Sequence, residues 1–299
     1  MSFIKYISVA LLLFFCLVLS ISAEESLSDD RARATVNLIL DIDLPPIEGY
    51  TEQGIAQQLI NNLSLDIDSR ELNATILVDN ESAAGAYSRP LITFLGIKAN
   101  HEMALASSKD DLGRLPLSEQ DRFIKSWKKN LENTKLCAGS YGATEVTVKG
   151  FRSLSLPEND TLKALQDIGF LYDAGFQAGL VYMPGHENDT WPYLIDKTNV
   201  YAIPVSSALM DGKRIPLQDR KAREIGINAS QWYSLLKNKF DETSQRDEPM
   251  VIILSSSVSG SGEYHDAFDS FIEYAINNSA AFVATTKLVD MARSGQKHI

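Results

Sequence analysis

Val36-Asn37-Leu38-Ile39-Leu40-Asp41-Ile42-Asp43-Leu44-Pro45-Pro46 is an apolar run that ends in two carboxylates and a pair of prolines. It reads as a buried strand. Side chains two residues apart on a strand point the same way, so Asp41 and Asp43 share a face. Acids at the C-terminal end of a buried strand are a common way for a barrel or an open α/β sheet to build a site.

Downstream, strand-like and helix-like segments alternate. Thr51 to Leu63 carries Ile55, Leu59 and Ile60 at helical spacing. Ala74 to Val78 reads as a second strand, and Ile97 to Met103 as a third after a helix end at Pro90 to Gly96. Leu117 to Leu131 is amphipathic, with Phe123, Ile124, Trp127 and Leu131 on one face. A strand over Val146–Phe151 precedes a helix over Asn159–Ile168 that Gly169 stops. Phe170–Tyr172, Gly179–Met183, Val200–Val205 and Met250–Leu254 read as further strands. Gln231–Phe240 and Tyr264–Asn277 read as helices, and Ala281–Ala284 and Thr286–Arg293 close the chain as strand and helix. This alternation implies a largely parallel sheet with helices outside it, and the number of strands suits a barrel.

The chain has 299 residues. Residues 1–23 have the pattern of a secretory signal peptide: Lys5, an apolar run from Val9 to Leu19, and Ser22-Ala23 at a small-residue cleavage site. An uncleaved N-terminal anchor is the alternative and would be the one route to a membrane. Residues 24–33 read as a loose acidic segment and residues 34–295 as one domain. With 28 basic and 39 acidic residues the net charge is −11. An acidic balance of that size argues against nucleic acid or anionic lipid as a partner. After cleavage Cys137 is the one cysteine left, so no internal disulfide forms, and it reads as a small buried apolar group. Seven Asn-x-Ser/Thr sequons, at Asn62, Asn73, Asn80, Asn159, Asn188, Asn228 and Asn277, exceed what composition gives and point to a secreted or cell-surface glycoprotein.

Four features carry less. Ser255 to Gly262 lacks the lysine and spacing of a phosphate-binding loop and reads as a flexible strand-end loop. No Gly-x-Ser-x-Gly elbow exists. Trp191, Tyr193 and Tyr201 suit either core packing or stacking on sugar rings. His186 and His265 stand apart from other chemistry and read as surface residues.

The strand-end acids, the segment His101-Glu102-Met103-Ala104-Leu105, and Gly150-Phe151-Arg152-Ser153 leading through Thr161–Gly169 to Phe170-Leu171-Tyr172-Asp173 come in the order seen in polysaccharide deacetylases. The chain resembles these NodB-homology carbohydrate esterases over residues 34–295. The resemblance implies a distorted (β/α) barrel of the glycoside hydrolase/deacetylase type. It also implies hydrolysis of N- or O-acetyl groups on glycans, with a divalent metal such as zinc. On that reading Asp41 is the general base, Arg152 orients it, Asp43 binds the metal, and Ser155 and Tyr172 lie near the substrate. The partner is an acetylated glycan or a cell-envelope polysaccharide.

The match breaks at the metal histidines. Ala106 stands where the first is expected, and Lys109 or Asp110 near the second. Ser255 follows the last strand where a general-acid histidine is expected. Asp43, His101 and Asp110 could together suit a harder ion. Three functions therefore stay open: a hydrolase with an altered metal site, a catalytically silent relative that binds envelope glycans or proteins through the same cleft, or a structural envelope component whose pocket is vestigial.

Overall fold

Thr35–Ile42 forms β1, and all eight of its residues are buried. Burial on both faces explains its nearly unbroken apolar run. The computed structural model describes residues 34–295, apart from 45–46, 48, 87, 90, 92–100, 109–111 and 139–146. The expected signal segment (residues 1–23), the acidic segment, most of the helix end expected near Pro90–Gly96, Asp110 and the Cys137 side chain lie outside the described residues.

After β1 come α1 (Tyr50–Asp68), β2 (Ala74–Asp79), α2 (Asn80–Ala84), β3 (His101–Ala106), a 3₁₀ turn (Leu112–Arg114) and α3 (Leu117–Ala138). Then follow β4 (Gly150–Arg152), α4 (Asn159–Ile168), β5 (Tyr172–Asp173), β6 (Tyr193–Leu194), β7 (Tyr201–Ala202), β8 (Ser207–Met210) and β9 (Lys213–Pro216). The chain closes with α5 (Asp219–Glu224), α6 (Ala229–Arg246), β10 (Met250–Ser255), α7 (Ser256–Ser259), α8 (Gly262–Asn277), β11 (Ala281–Phe282) and α9 (Thr285–Ser294).

The described strands, apart from a β8–β9 hairpin, form one nine-stranded sheet in the order β10-β1-β2-β3-β4-β5-β7-β6, with β11 on the start of β1. All pairs are parallel except β6–β7. The sheet curls, and the chain after β7 closes back on β10. Ser206, four residues past β7, donates its N–H to Val251 O at 3.0 Å, and the Val251 N–H donates to the Ser206 hydroxyl at 3.0 Å. Leu217 O accepts the Ile253 N–H at 3.0 Å. The result is the expected distorted (β/α) barrel.

Alternate residues of each strand fill its interior, among them Ile39, Leu77, Ala104, Tyr172, Ile203 and Ile253. Tyr172 takes so much of this space that a Cβ on Gly150 would lie 2.0 Å from its hydroxyl, so β4 needs glycine there. One end of the barrel is sealed by α9, which sends in Leu288, Val289 and Met291. Its first turn is held by polar groups near the strand starts: the Thr285 N–H donates to Thr75 Oγ1 at 2.9 Å, and the Thr286 N–H to Glu102 Oε2 at 2.8 Å. Outside, α6 and α8 pack Trp232, Phe240, Phe268 and Phe271 into the helix layer. Each such side chain, fully buried, contributes about 1.5–3 kcal/mol. Gly169 ends α4 in the left-handed region, φ 84°, as its sequence predicts. Among the described residues no helix is long and apolar enough to cross a membrane.

Two expectations change. Gly179–Met183 is not a strand but a turn, bridged only between Gln177 and Val181. The serine-rich run after β10 is not a loose loop: it forms α7, and its first residues bond to the acids at the barrel mouth.

Candidate active site

With α9 closing one end, the strand C-termini form the open mouth. The register sets Asp79 beside Ala106 and Ala106 beside Arg152, and on the other flank Asp41 beside Ser255. Period-two alternation turns Asp41 inward, above Ile39. Arg152 Nη1 donates to Asp41 Oδ2 at 2.5 Å, and both side chains are largely buried, 14 % and 12 % exposed. Burial raises the Asp41 carboxyl above its usual value, Arg152 draws it back, and the nearby Asp43 charge raises it further.

Asp43 sits on the same mouth with different partners. Its Oδ1 accepts the Ser256 hydroxyl at 3.0 Å and the Ser257 N–H at 3.1 Å. Its Oδ2 accepts Arg220 Nη2 and the Ser257 hydroxyl. Arg220 is the second residue of α5 and follows Asp219, which is fully buried. The Asp219 carboxylate accepts the N–H groups of Arg220 at 2.6 Å and Ser255 at 2.8 Å, and the Ser259 hydroxyl at 2.7 Å. Burial pushes Asp219 up to about 7 despite these bonds. One carboxylate thus ties β10, α5 and α7 together under the mouth.

Asp41, Asp43, Asp79, Arg152 and Arg220 line a cleft of about 440 Å³, with Leu44, Ile47 and Leu154 as an apolar wall. Asp79 is committed to capping α2, accepting the Ser82 N–H at 2.9 Å and hydroxyl at 2.7 Å. A smaller lobe of about 210 Å³ continues past Asp41 and Arg152 to Gln177 and Ser255.

The structure brings Asp41, Asp43 and Arg152 together. Of the other residues expected here, it does not bring in His101, Tyr172 or Ser155. His101 begins β3, five residues or about 16 Å from the tip at Ala106, and its ring bonds Asp68 Oδ1 at 2.8 Å. It therefore cannot turn toward Asp43. Tyr172 is fully buried in the barrel and donates to Glu102 Oε1 at 2.9 Å, toward the sealed end, so a substrate at the mouth does not reach its hydroxyl. Ser155 is exposed beside a small neighbouring hollow with Pro157 and Thr161, outside the main cleft. Asp110 lies outside the described residues. Trp191, Tyr193 and Tyr201 do not line the cleft: Tyr193 accepts the Met183 N–H at 3.1 Å and stacks on His186, and the Trp191 indole donates to Asp247 O. His186 and His265 are half-buried rather than exposed, paired with Asp189 and Asp66. The sequence reading missed Arg220 and Asp219, whose local signal is only an acid and a base following the apolar Ile215-Pro216-Leu217.

A divalent metal does not fit this donor set. Both oxygens of Asp43 are taken by four protein donors, one of them cationic. The tip of β3, where the resemblance places a metal histidine, carries Ala106, and no group of three or more His, Cys, Asp or Glu suited to a metal occurs among the described residues.

No protein-family model matches the chain, and no curated protein does either. Solved structures do. A protein assigned as a polysaccharide deacetylase from Mycobacterium smegmatis superposes with a TM-score of 0.66 at 16 % identity, covering 89 % of this chain and 92 % of that one. A second such assignment, from Pseudomonas aeruginosa PAO1, gives 0.65 at 14 %, covering 89 % and 93 %. The allantoinase PuuE gives 0.66 at 13 %, covering 90 % and 93 %. The chain therefore shares the fold of polysaccharide deacetylases.

Proposed function

We propose that a deacetylase-like hydrolase works at this mouth, removing N- or O-acetyl groups from a glycan. The observation that carries the reading is Asp41, a largely buried carboxylate of raised proton affinity, bonded to Arg152 beside an open cleft of a deacetylase-type barrel. Asp41 takes a proton from water as the water oxygen bonds to the acyl carbon. The acyl C–N or C–O bond then breaks, and the proton passes to the departing nitrogen or oxygen. Acetic acid and the free amine or hydroxyl result. Leu44, Ile47 and Leu154 offer an apolar wall for the acetyl methyl and sugar face.

The second reading is a catalytically silent relative that holds an acetylated or cell-envelope glycan in the same cleft. It is favoured by the occupied carboxylate of Asp43 and by Ala106 and Ser255 at tips where the resemblance places histidines. On either reading we place the mature protein outside the cell, N-glycosylated, after removal of residues 1–23. The test is acetate release from acetylated chito-oligosaccharides by purified protein and by Asp41→Asn. Release that Asp41→Asn abolishes supports the hydrolase. Sugar binding without release supports the silent relative, and neither sinks both.

A further inference from the structure

Two arginines meet at the mouth, and they differ in what they can do. Arg152 is largely buried and bonded to Asp41. Arg220 is 45 % exposed and lines the main cleft, the smaller lobe and a groove along Leu59 and Ser257. A guanidinium has five N–H donors in a fixed fork. Among the described residues its one side-chain hydrogen bond goes to Asp43, which leaves donors for a ligand. Its position is fixed twice: Asp43 clamps the guanidinium, and buried Asp219 holds the Arg220 backbone N–H at 2.6 Å. Asp43 in turn is oriented by Ser256 and Ser257. Charge at this point of the barrel is thus supplied by the chain itself.

We infer that Arg220 is the resident cation of the cleft: its guanidinium, held by Asp43, donates to the acyl oxygen of the bound glycan where the resemblance calls for a divalent metal. Asp43 is then a positioning residue rather than a ligand. A fixed donor aimed at an oxygen that gains charge suits acyl transfer as well as ground-state binding. The substrate part rests on the function proposed above; the replacement of the metal does not.

Two measurements separate these parts. The full-length protein is dialysed against Zn²⁺ or Mn²⁺ and its metal content measured. We expect no stoichiometric metal. One metal per chain that Asp43→Ala removes would overturn the inference whatever the substrate. Then N-acetylated chito-oligosaccharide binding is measured calorimetrically in EDTA. Arg220→Ala is expected to weaken it about tenfold or more, the size of a lost hydrogen bond to a charged group, and Arg220→Lys less so. Both variants should keep the parent circular dichroism and Tm, because the side chain is half-exposed. Unchanged affinity in Arg220→Ala overturns the inference. Failure of the parent to bind any acetylated sugar defeats the substrate assignment, while the metal content still decides whether Arg220 stands in for the ion.

Discussion

The carboxylate of Asp219 accepts the backbone N–H of Ser255 with both of its oxygens, at 3.0 and 2.8 Å. The group is fully buried, and burial lifts it from 3.8 to about 7. The folded state therefore holds its proton more tightly than the unfolded chain does. Its stabilising effect is complete below about pH 4 and is lost as pH rises through about 7, on the order of 4 kcal/mol at most. Buried Asp41 and Asp173 are raised too and act in the same direction. Urea unfolding between pH 4 and 8 should show stability falling with pH, and Asp219→Asn should flatten that slope. Equal slopes in parent and variant would contradict the assignment.

Arg152 is the partner that makes a buried charge at Asp41 tolerable. Arg152→Ala should cost about 3–5 kcal/mol in denaturant unfolding, because it strands the carboxylate. Adding Asp41→Asn to it should restore part of the loss. If Asp41 is the base, Asp41→Asn alone should lower kcat about 10²- to 10⁴-fold while leaving sugar affinity near the parent value.

Tyr172 belongs to the barrel interior. Tyr172→Phe removes the bond to Glu102, which keeps its Thr286 N–H partner. The expected result is about 1–3 kcal/mol of lost stability with sugar affinity and KM unchanged. A variant of parental stability and impaired KM would place the hydroxyl at the substrate after all.

Gly260 sits under α7, where a Cβ would lie 2.2 Å from Ser256 O and 2.8 Å from Leu59 O, both backbone atoms. Neither can swing aside. Gly260→Ala should cost about 1–3 kcal/mol or more and, by shifting Ser256 and Ser257, should weaken glycan binding as well. Calorimetric scanning beside the binding titration checks both effects.

Sequon occupancy can be ranked if the protein is exported and glycosylated as proposed. Asn159, Asn188 and Asn277 are exposed. Asn62 is half-buried and spends its side-chain amide on Gly260 O at 2.9 Å. Peptide mass mapping should find glycan on the first three and none on Asn62.

The acids at the tip of β1 could be read from sequence because both signals are local: an apolar run marks the buried strand, and spacing by two sets the face. Arg152 was reachable through its neighbours in the resemblance. Arg220 was not, because it meets Asp43 across 177 residues and sits in a short helix with no distinctive pattern. The β8–β9 hairpin did carry a signal that went unused. Asp211-Gly212 takes positive φ at both positions, 50° and 75°, the geometry of a two-residue hairpin turn. Gly179–Met183 misled in the opposite sense: Leu180 and Val181 look strand-like, yet Gly179 has φ 70° and Leu180 is exposed. His101 looked like a ligand by proximity in sequence to a strand tip, but it lies at the other end of that strand, where Asp68 holds it.

Because α9 stoppers the barrel at the strand starts, nothing can thread through it. If the substrate is a glycan polymer, as proposed, it lies across the rim and dips one unit at a time toward Asp41, and the product leaves by the same side. Approach from one side only favours attack at any accessible point along a polymer over digestion inward from its tip.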